Sequence, residues 1–144
     1  MDVYFFLFIC SGAANAVLLL GAALDDSGSS GLSLLYAGFG VLTINVLSFG
    51  LIYWWIDGGG PVVRLKKQVT QWDFQFPQQL AQGSVWEPTI LDYLYVAYTN
   101  ILAFSPTDAM PLTHRVKLLF TVQSAISVLT VVITVGHAIN VLSS

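Results

Sequence analysis

Three stretches of this 144-residue chain, Val3–Leu24, Leu32–Ile56 and Leu118–Leu142, run for 22 to 25 residues without a single Asp, Glu, Lys or Arg. A helix rises about 1.5 Å per residue and the hydrocarbon core of a bilayer is about 30 Å thick, so about 20 apolar residues span it. The helices of a small water-soluble domain need a polar face instead. Charged residues make up 9% of the chain and hydrophobic ones 56%, against about 25% and 45–50% in an ordinary domain. The reading is an all-α integral membrane protein with three transmembrane helices, and the 1–144 chain as a single membrane domain.

The first run lacks the basic n-region of a secretory signal and is long enough to span, so it reads as a retained span although Gly21-Ala22-Ala23 resembles a cleavage site. Cys10, the only cysteine, lies inside that run, which excludes an intrachain disulfide and a CxxC pair. A net charge of −3 argues against nucleic-acid binding. All five basic residues (Arg64, Lys66, Lys67, Arg115, Lys117) fall between the second and third runs. The positive-inside bias therefore puts the N-terminus and the long connection in the cytoplasm and the C-terminus outside.

Tyr53-Trp54-Trp55 at the end of the second run reads as an interfacial anchor, and Gly58-Gly59-Gly60-Pro61 stops the helix. Residues 62–86 read as irregular, with Arg64, Lys66 and Lys67 attracted to anionic lipid headgroups. Pro88 opens a short apolar helix that reaches Phe104. It is too short to cross and carries Asp92, so it reads as a re-entrant or interfacial helix.

In the third run, Gln123, Ser127, Thr130, Thr134 and His137 share one helix face at 100° per residue. Such a polar stripe turns from lipid toward another helix or a solvated path. An intramembrane histidine can ligate a haem iron or a chlorophyll magnesium. Haem usually takes two axial ligands and no second histidine lies in a run, so a hydrogen bond to a neighbouring helix is the simpler use of His137, and no cofactor and no metal site is expected. Asn15, Asn45 and Ser48 read as interhelical hydrogen-bonding groups. There is no His-Glu-x-x-His, phosphate loop or Gly-x-Ser-x-Gly elbow, so catalysis is not expected.

The order of short helix, Ser105-Pro106-Thr107-Asp108-Ala109-Met110-Pro111-Leu112-Thr113 and long helix resembles the pore module of tetrameric potassium channels. Asp108, Pro111 and Thr113 match its tail, but Ala103–Thr107 contains no glycine where those channels carry their filter signature, so potassium selectivity is not implied. A second resemblance is to a family of uncharacterised bacterial predicted membrane proteins. It rests on Trp54, Asp57-x-Gly59-Gly60-Pro61, Phe76-Pro77-Gln78, Asp92-Tyr93-Leu94-Tyr95, Asn100, Ala103–Asp108, Met110–Thr113, Lys117, Gln123-Ser124 and Ala138-x-Asn140. It departs from that pattern at Trp55 and His137, and the family implies no activity.

Two functions follow as expectations. One is a pore-like homo-oligomer in which the stripe faces a central axis and the tip Ser105, Pro106, Thr107 and Asp108 lines it, Asp108 carboxylates favouring cations. The other is a non-catalytic accessory subunit of a larger respiratory or photosynthetic membrane complex, docked through Trp72, Phe74, Phe76 and Trp86.

Overall fold

The computed structural model describes Gly21 and residues 31–81, 86–103 and 109–143. The first charge-free run apart from Gly21, the tip Ser105–Asp108 and the side chain of His137 lie outside the described residues. The chain is mostly helical, and two helices are long and apolar enough to cross a membrane. Helix α1 spans Gly31–Ile56 in 26 residues and helix α5 spans His114–Ser143 in 30. At about 1.5 Å per residue both exceed the roughly 30 Å hydrocarbon thickness. Between them come a 3₁₀ turn (Asp57–Gly59), α2 (Pro61–Leu65), β1 (Phe74–Gln75), α3 (Pro77–Leu80), α4 (Ile90–Ala103) and β2 (Met110–Pro111).

The long helices are inverted relative to those of a water-soluble domain. Phe39 is 72% exposed and Val132 63%, while Asn45, Ser48, Gln123, Ser127 and Thr130 are buried. Only 33% of each candidate span is buried within the chain, which is not the pattern of a soluble core helix. Apolar side chains on the exterior, with these polar groups buried beside Phe49, Ile52, Leu119 and Phe120, suit a hydrocarbon solvent.

The chain divides into two compact units. One combines residues 1–45 with 125–144 and the other is 46–124. In the first, Gly38 lets α1 approach α5, since a Cβ there would lie 2.6 Å from the Thr134 side chain. The second unit holds every short element and the aromatic core. Phe74 is its centre, with ring centroids 5.4 Å from Tyr53, 5.7 Å from Tyr93 and 5.8 Å from Phe120.

In the segment read as irregular, residues 62–86, the described part up to Ala81 instead carries two short helices and a strand. Pro61 opens α2 at a position where its missing N–H costs nothing. β1 pairs antiparallel with β2, Phe74 opposite Pro111 and Gln75 opposite Met110. The Gln79 side chain accepts the Phe76 amide at 2.9 Å and starts α3. These devices are short-range or depend on a partner far along the chain, which is why the hydrophobic period does not reveal them. Tyr53 also departs from its reading as an interfacial anchor. It is fully buried, whereas Trp55 stays half exposed.

Close backbone approach fixes α4 against α1. A Cβ on Gly50 would meet Leu94 Cδ2 at 2.6 Å and Leu94 Cα at 3.1 Å. The side chain can swing away but the backbone cannot, so Gly50→Ala is expected to cost about 1–3 kcal/mol by overpacking. Thermal unfolding in detergent checks this; an unchanged midpoint would mean that the approach is looser than described.

Candidate functional site

Where α1 stops, the chain must turn sharply under a buried carboxylate. Gly58, Gly59 and Gly60 hold φ of 60°, 83° and 98°, a run of left-handed backbone that only glycine adopts cheaply. A Cβ on Gly60 would also sit 2.9 Å from the Trp55 carbonyl. Arg64, carried back by α2, closes the helix end: its Nη1 donates to the carbonyls of Trp54 and Asp57, both at 2.8 Å. Its guanidinium carbon lies 5.7 Å from the centre of the Trp54 ring and 5.6 Å from that of Tyr93.

Asp57 is wholly buried and satisfied from three directions. Its Oδ1 accepts the amides of Asp73 at 2.8 Å and Phe74 at 3.1 Å, and its Oδ2 accepts the Tyr93 hydroxyl at 2.5 Å. Asp73 continues the node. Its carboxylate accepts Thr113 Oγ1 and Arg115 Nε, each at 2.7 Å, and is ion-paired with Arg115 Nη2. Its carbonyl accepts the Leu112 amide at 2.8 Å, while Arg115 Nη2 also reaches the Ile56 carbonyl at 3.2 Å. Two carboxylates thus tie together the end of α1, the β1 strand, the start of α4 and the start of α5.

A second polar node lies deeper along the helices. Gln123 Oε1 accepts the Tyr53 hydroxyl at 2.6 Å and Asn100 Nδ2 at 2.8 Å, and its Nε2 donates to the Ala97 carbonyl at 3.1 Å. Asn100 Nδ2 also donates to the Phe120 carbonyl at 3.3 Å. Together the nodes give the course of α4. Tyr93 meets Asp57 and Asn100, seven residues on, meets Gln123, which is eight residues beyond Arg115. At about 1.5 Å per residue these are steps of about 10 and 12 Å, so α4 runs parallel to α5 away from the carboxylate node. The chain then returns to that node, because β2 pairs with β1 and Thr113 bonds Asp73.

The structure separates the residues singled out in the sequence. Gln123, Ser127, Thr130 and Thr134 are all buried within the chain, so the stripe does not present an open polar face to a central axis. Thr130 Oγ1 bonds the Ile126 carbonyl at 2.8 Å in its own helix. The basic cluster divides likewise. Lys66 and Lys67 are exposed, but Arg64 is half-buried, its Nη1 taken up by the carbonyls of Trp54 and Asp57. Phe74 and Phe76 are core residues and cannot dock a partner; Trp72 and Trp86 are half-buried. Asp92 caps α4, accepting the amide and hydroxyl of Thr89 at 2.7 Å.

Sequence reasoning missed the pairing of Asp57 with Tyr93 and of Asp73 with Arg115. The available signal was the placement of Asp57 at the end of an apolar run directly before three glycines, where an uncompensated charge is costly. Among the described residues no group of three His, Cys, Asp or Glu side chains could hold a metal ion.

The electrostatics of Asp73 carry a pH consequence. Burial pushes its carboxyl up, but the Arg115 guanidinium, the Thr113 hydroxyl and the Gly58 amide outweigh burial and hold it below the usual carboxylate range. A depressed folded pKa contributes stability that is complete above the unfolded value of about 3.9 and is lost as pH falls through the folded value. The unfolding midpoint in detergent should therefore drop as pH is lowered from about 4. Asp73→Asn should flatten that limb, and a limb of unchanged slope would show that other carboxylates carry it.

No family model, curated protein or solved structure matches this chain.

Proposed function

We propose that this is an integral protein of a bacterial inner membrane that forms a pore-like oligomeric module around a re-entrant helix. The observation that carries the reading is the course of α4, which leaves the Asp57 node, packs beside α5, and is followed by a chain that returns to Asp73 at the same end. A 14-residue helix reaches about 21 Å, short of the hydrocarbon thickness, so a helix dipping in from one surface and returning fits its length. The resemblance of this order to a potassium-channel pore module supports the same reading. Polar backbone at such depth is tolerated where protein or water surrounds it.

In this reading the first charge-free run is a third span, the long connection is cytoplasmic and the C-terminus outside. The Ser105–Asp108 tip, rather than the in-chain stripe, lines the axis of the oligomer, and Asp108 carboxylates contributed by symmetric subunits favour cations. Gln123 of the stripe braces α4 through Asn100 and the Ala97 carbonyl. Cation flux through proteoliposomes of the purified chain tests this, with Asp108→Asn expected to reduce flux and cation preference. Absence of flux across voltages and cations would refute it.

One observation favours a second reading, the accessory subunit. Leu91, Tyr95, Tyr98 and Leu102 form a single exposed stripe on α4, with two hydroxyls that hydrocarbon would leave unpaired. Native gels in mild detergent separate the two readings: a homo-oligomer favours the pore, and stoichiometric co-purification with other subunits favours the accessory role.

A further inference from the structure

Two adjoining cavities open in the loop cap of the 46–124 unit, and their linings differ in chemistry. The larger, 460 Å³, is walled by Trp72 and Trp86 with Gln75, Gln79 and Glu87 on its polar side. The smaller, 260 Å³, is lined by Arg64 and Lys67 and shares Trp72 and Glu87 with the first. One cavity therefore offers aromatic faces and a carboxylate, which suit an ammonium group. The other adds a guanidinium and an amine to the shared Trp72 and Glu87, and these two cations suit a phosphate. The two cavities share Trp72 and Glu87 in their linings, so they lie close enough for one molecule carrying both charges to reach both.

The backbone adds an independent sign. Lys67 is the one described non-glycine residue with positive φ, at 53°. It closes α2 in a 6→1 and 5→2 arrangement, the Gln68 amide on the Val63 carbonyl at 3.1 Å and the Lys67 amide on the Arg64 carbonyl at 2.9 Å. Glycine is the usual residue at that position, and a side chain there costs about 1–2 kcal/mol. Strain of this kind is retained where the residue has work to do, and Lys67 is among the residues that line the smaller cavity. The Trp72 wall is fixed too, its Cε3 and Cζ3 lying 3.3 Å from where a Cβ on Gly58 would be.

We infer that these cavities form a binding site for a zwitterionic phosphoammonium headgroup, with Arg64 and Lys67 holding the phosphate and Trp72, Trp86 and Glu87 holding the ammonium. The assignment differs from a general attraction of the basic cluster to anionic lipid, because Glu87 repels a headgroup that lacks the cation. It rests on the proposed placement of this end of the helices at a bilayer surface, but not on conduction. Loss of flux with headgroup binding intact would refute the pore alone, and the converse would refute this site alone.

The test is a titration of the full chain in maltoside micelles, read by intrinsic tryptophan fluorescence, with dihexanoyl phosphatidylethanolamine, phosphatidylcholine and phosphatidylglycerol. Both zwitterionic lipids should bind at least five-fold more tightly than phosphatidylglycerol. Glu87→Gln should erase that preference, and Lys67→Gln should weaken all three lipids at least three-fold without changing the thermal midpoint. Water-soluble glycerophosphoethanolamine distinguishes the sources. If it binds comparably, the site reads the headgroup whether free or in lipid; if only the lipids bind, a lipid is the ligand. Equal or tighter binding of phosphatidylglycerol, a preference that survives Glu87→Gln, or no binding of any of them would overturn the inference.

Discussion

Asp57→Ala should be the most damaging single substitution in the loop cap. It strips the acceptor from the Asp73 and Phe74 amides and from the Tyr93 hydroxyl at once, in a site that water does not reach. A buried donor left unpaired costs about 1–3 kcal/mol, so the loss is on the order of 3–5 kcal/mol. Asp57→Asn keeps an oxygen for the two amides, and the Tyr93 hydroxyl can turn to accept from the new amide, so it should lose less than half as much. Thermal unfolding of the three proteins in one detergent orders them. If Asp57→Asn is as damaging as Asp57→Ala, the carboxylate charge matters more than its acceptor count.

The second large effect is expected at Gln123. Its side chain is fully buried and serves Tyr53, Asn100 and the Ala97 carbonyl together. Gln123→Leu retains most of the volume but orphans the Tyr53 hydroxyl and removes one partner of Asn100, which keeps the Phe120 carbonyl. The cost should be on the order of 2–4 kcal/mol. Tyr53→Phe should recover part of it in the double variant, since it removes the orphaned hydroxyl along with its need for a partner. Additive losses in the two single variants and the double would show that the Tyr53–Gln123 bond contributes little. Gln123→Leu should also detach α4 from α5, so limited proteolysis ought to cut the connection faster in this variant.

What the sequence made legible follows from the range of each cause. The two long helices were readable because their signal is an uninterrupted local property, the absence of charge over more than 20 residues. The α4 helix was readable from Pro88 and the apolar run after it, to within two residues at its start and one at its end. The polar face of α5 was readable from the helical period, but not what covers it. Gln123 finds Tyr53 from 70 residues away. The carboxylate node was hidden for the same reason: Asp57 is 16 residues from the Asp73 amide and 36 from Tyr93, and Asp73 is 42 from Arg115. Arg64 and Arg115 counted equally in the charge asymmetry that oriented the chain, yet one caps a helix and the other pairs with a buried acid. The triple glycine signalled a stop, and its deeper use, to turn the chain around Asp57, needed the positive φ values to be visible.

The central claim is that Ile90–Ala103 enters the bilayer and the chain leaves by the same face. Single cysteines in a Cys10→Ser background, one at exposed Gln71 before the helix and one at exposed Met110 after it, test it with a membrane-impermeant maleimide on intact and inverted vesicles. Both should label from one face, and the positive-inside bias of Arg64, Lys66, Lys67, Arg115 and Lys117, all in the same connection, makes it the cytoplasmic one. Labelling of Gln71 and Met110 from opposite faces would make α4 a crossing helix and would contradict the re-entrant hairpin and the pore built on it.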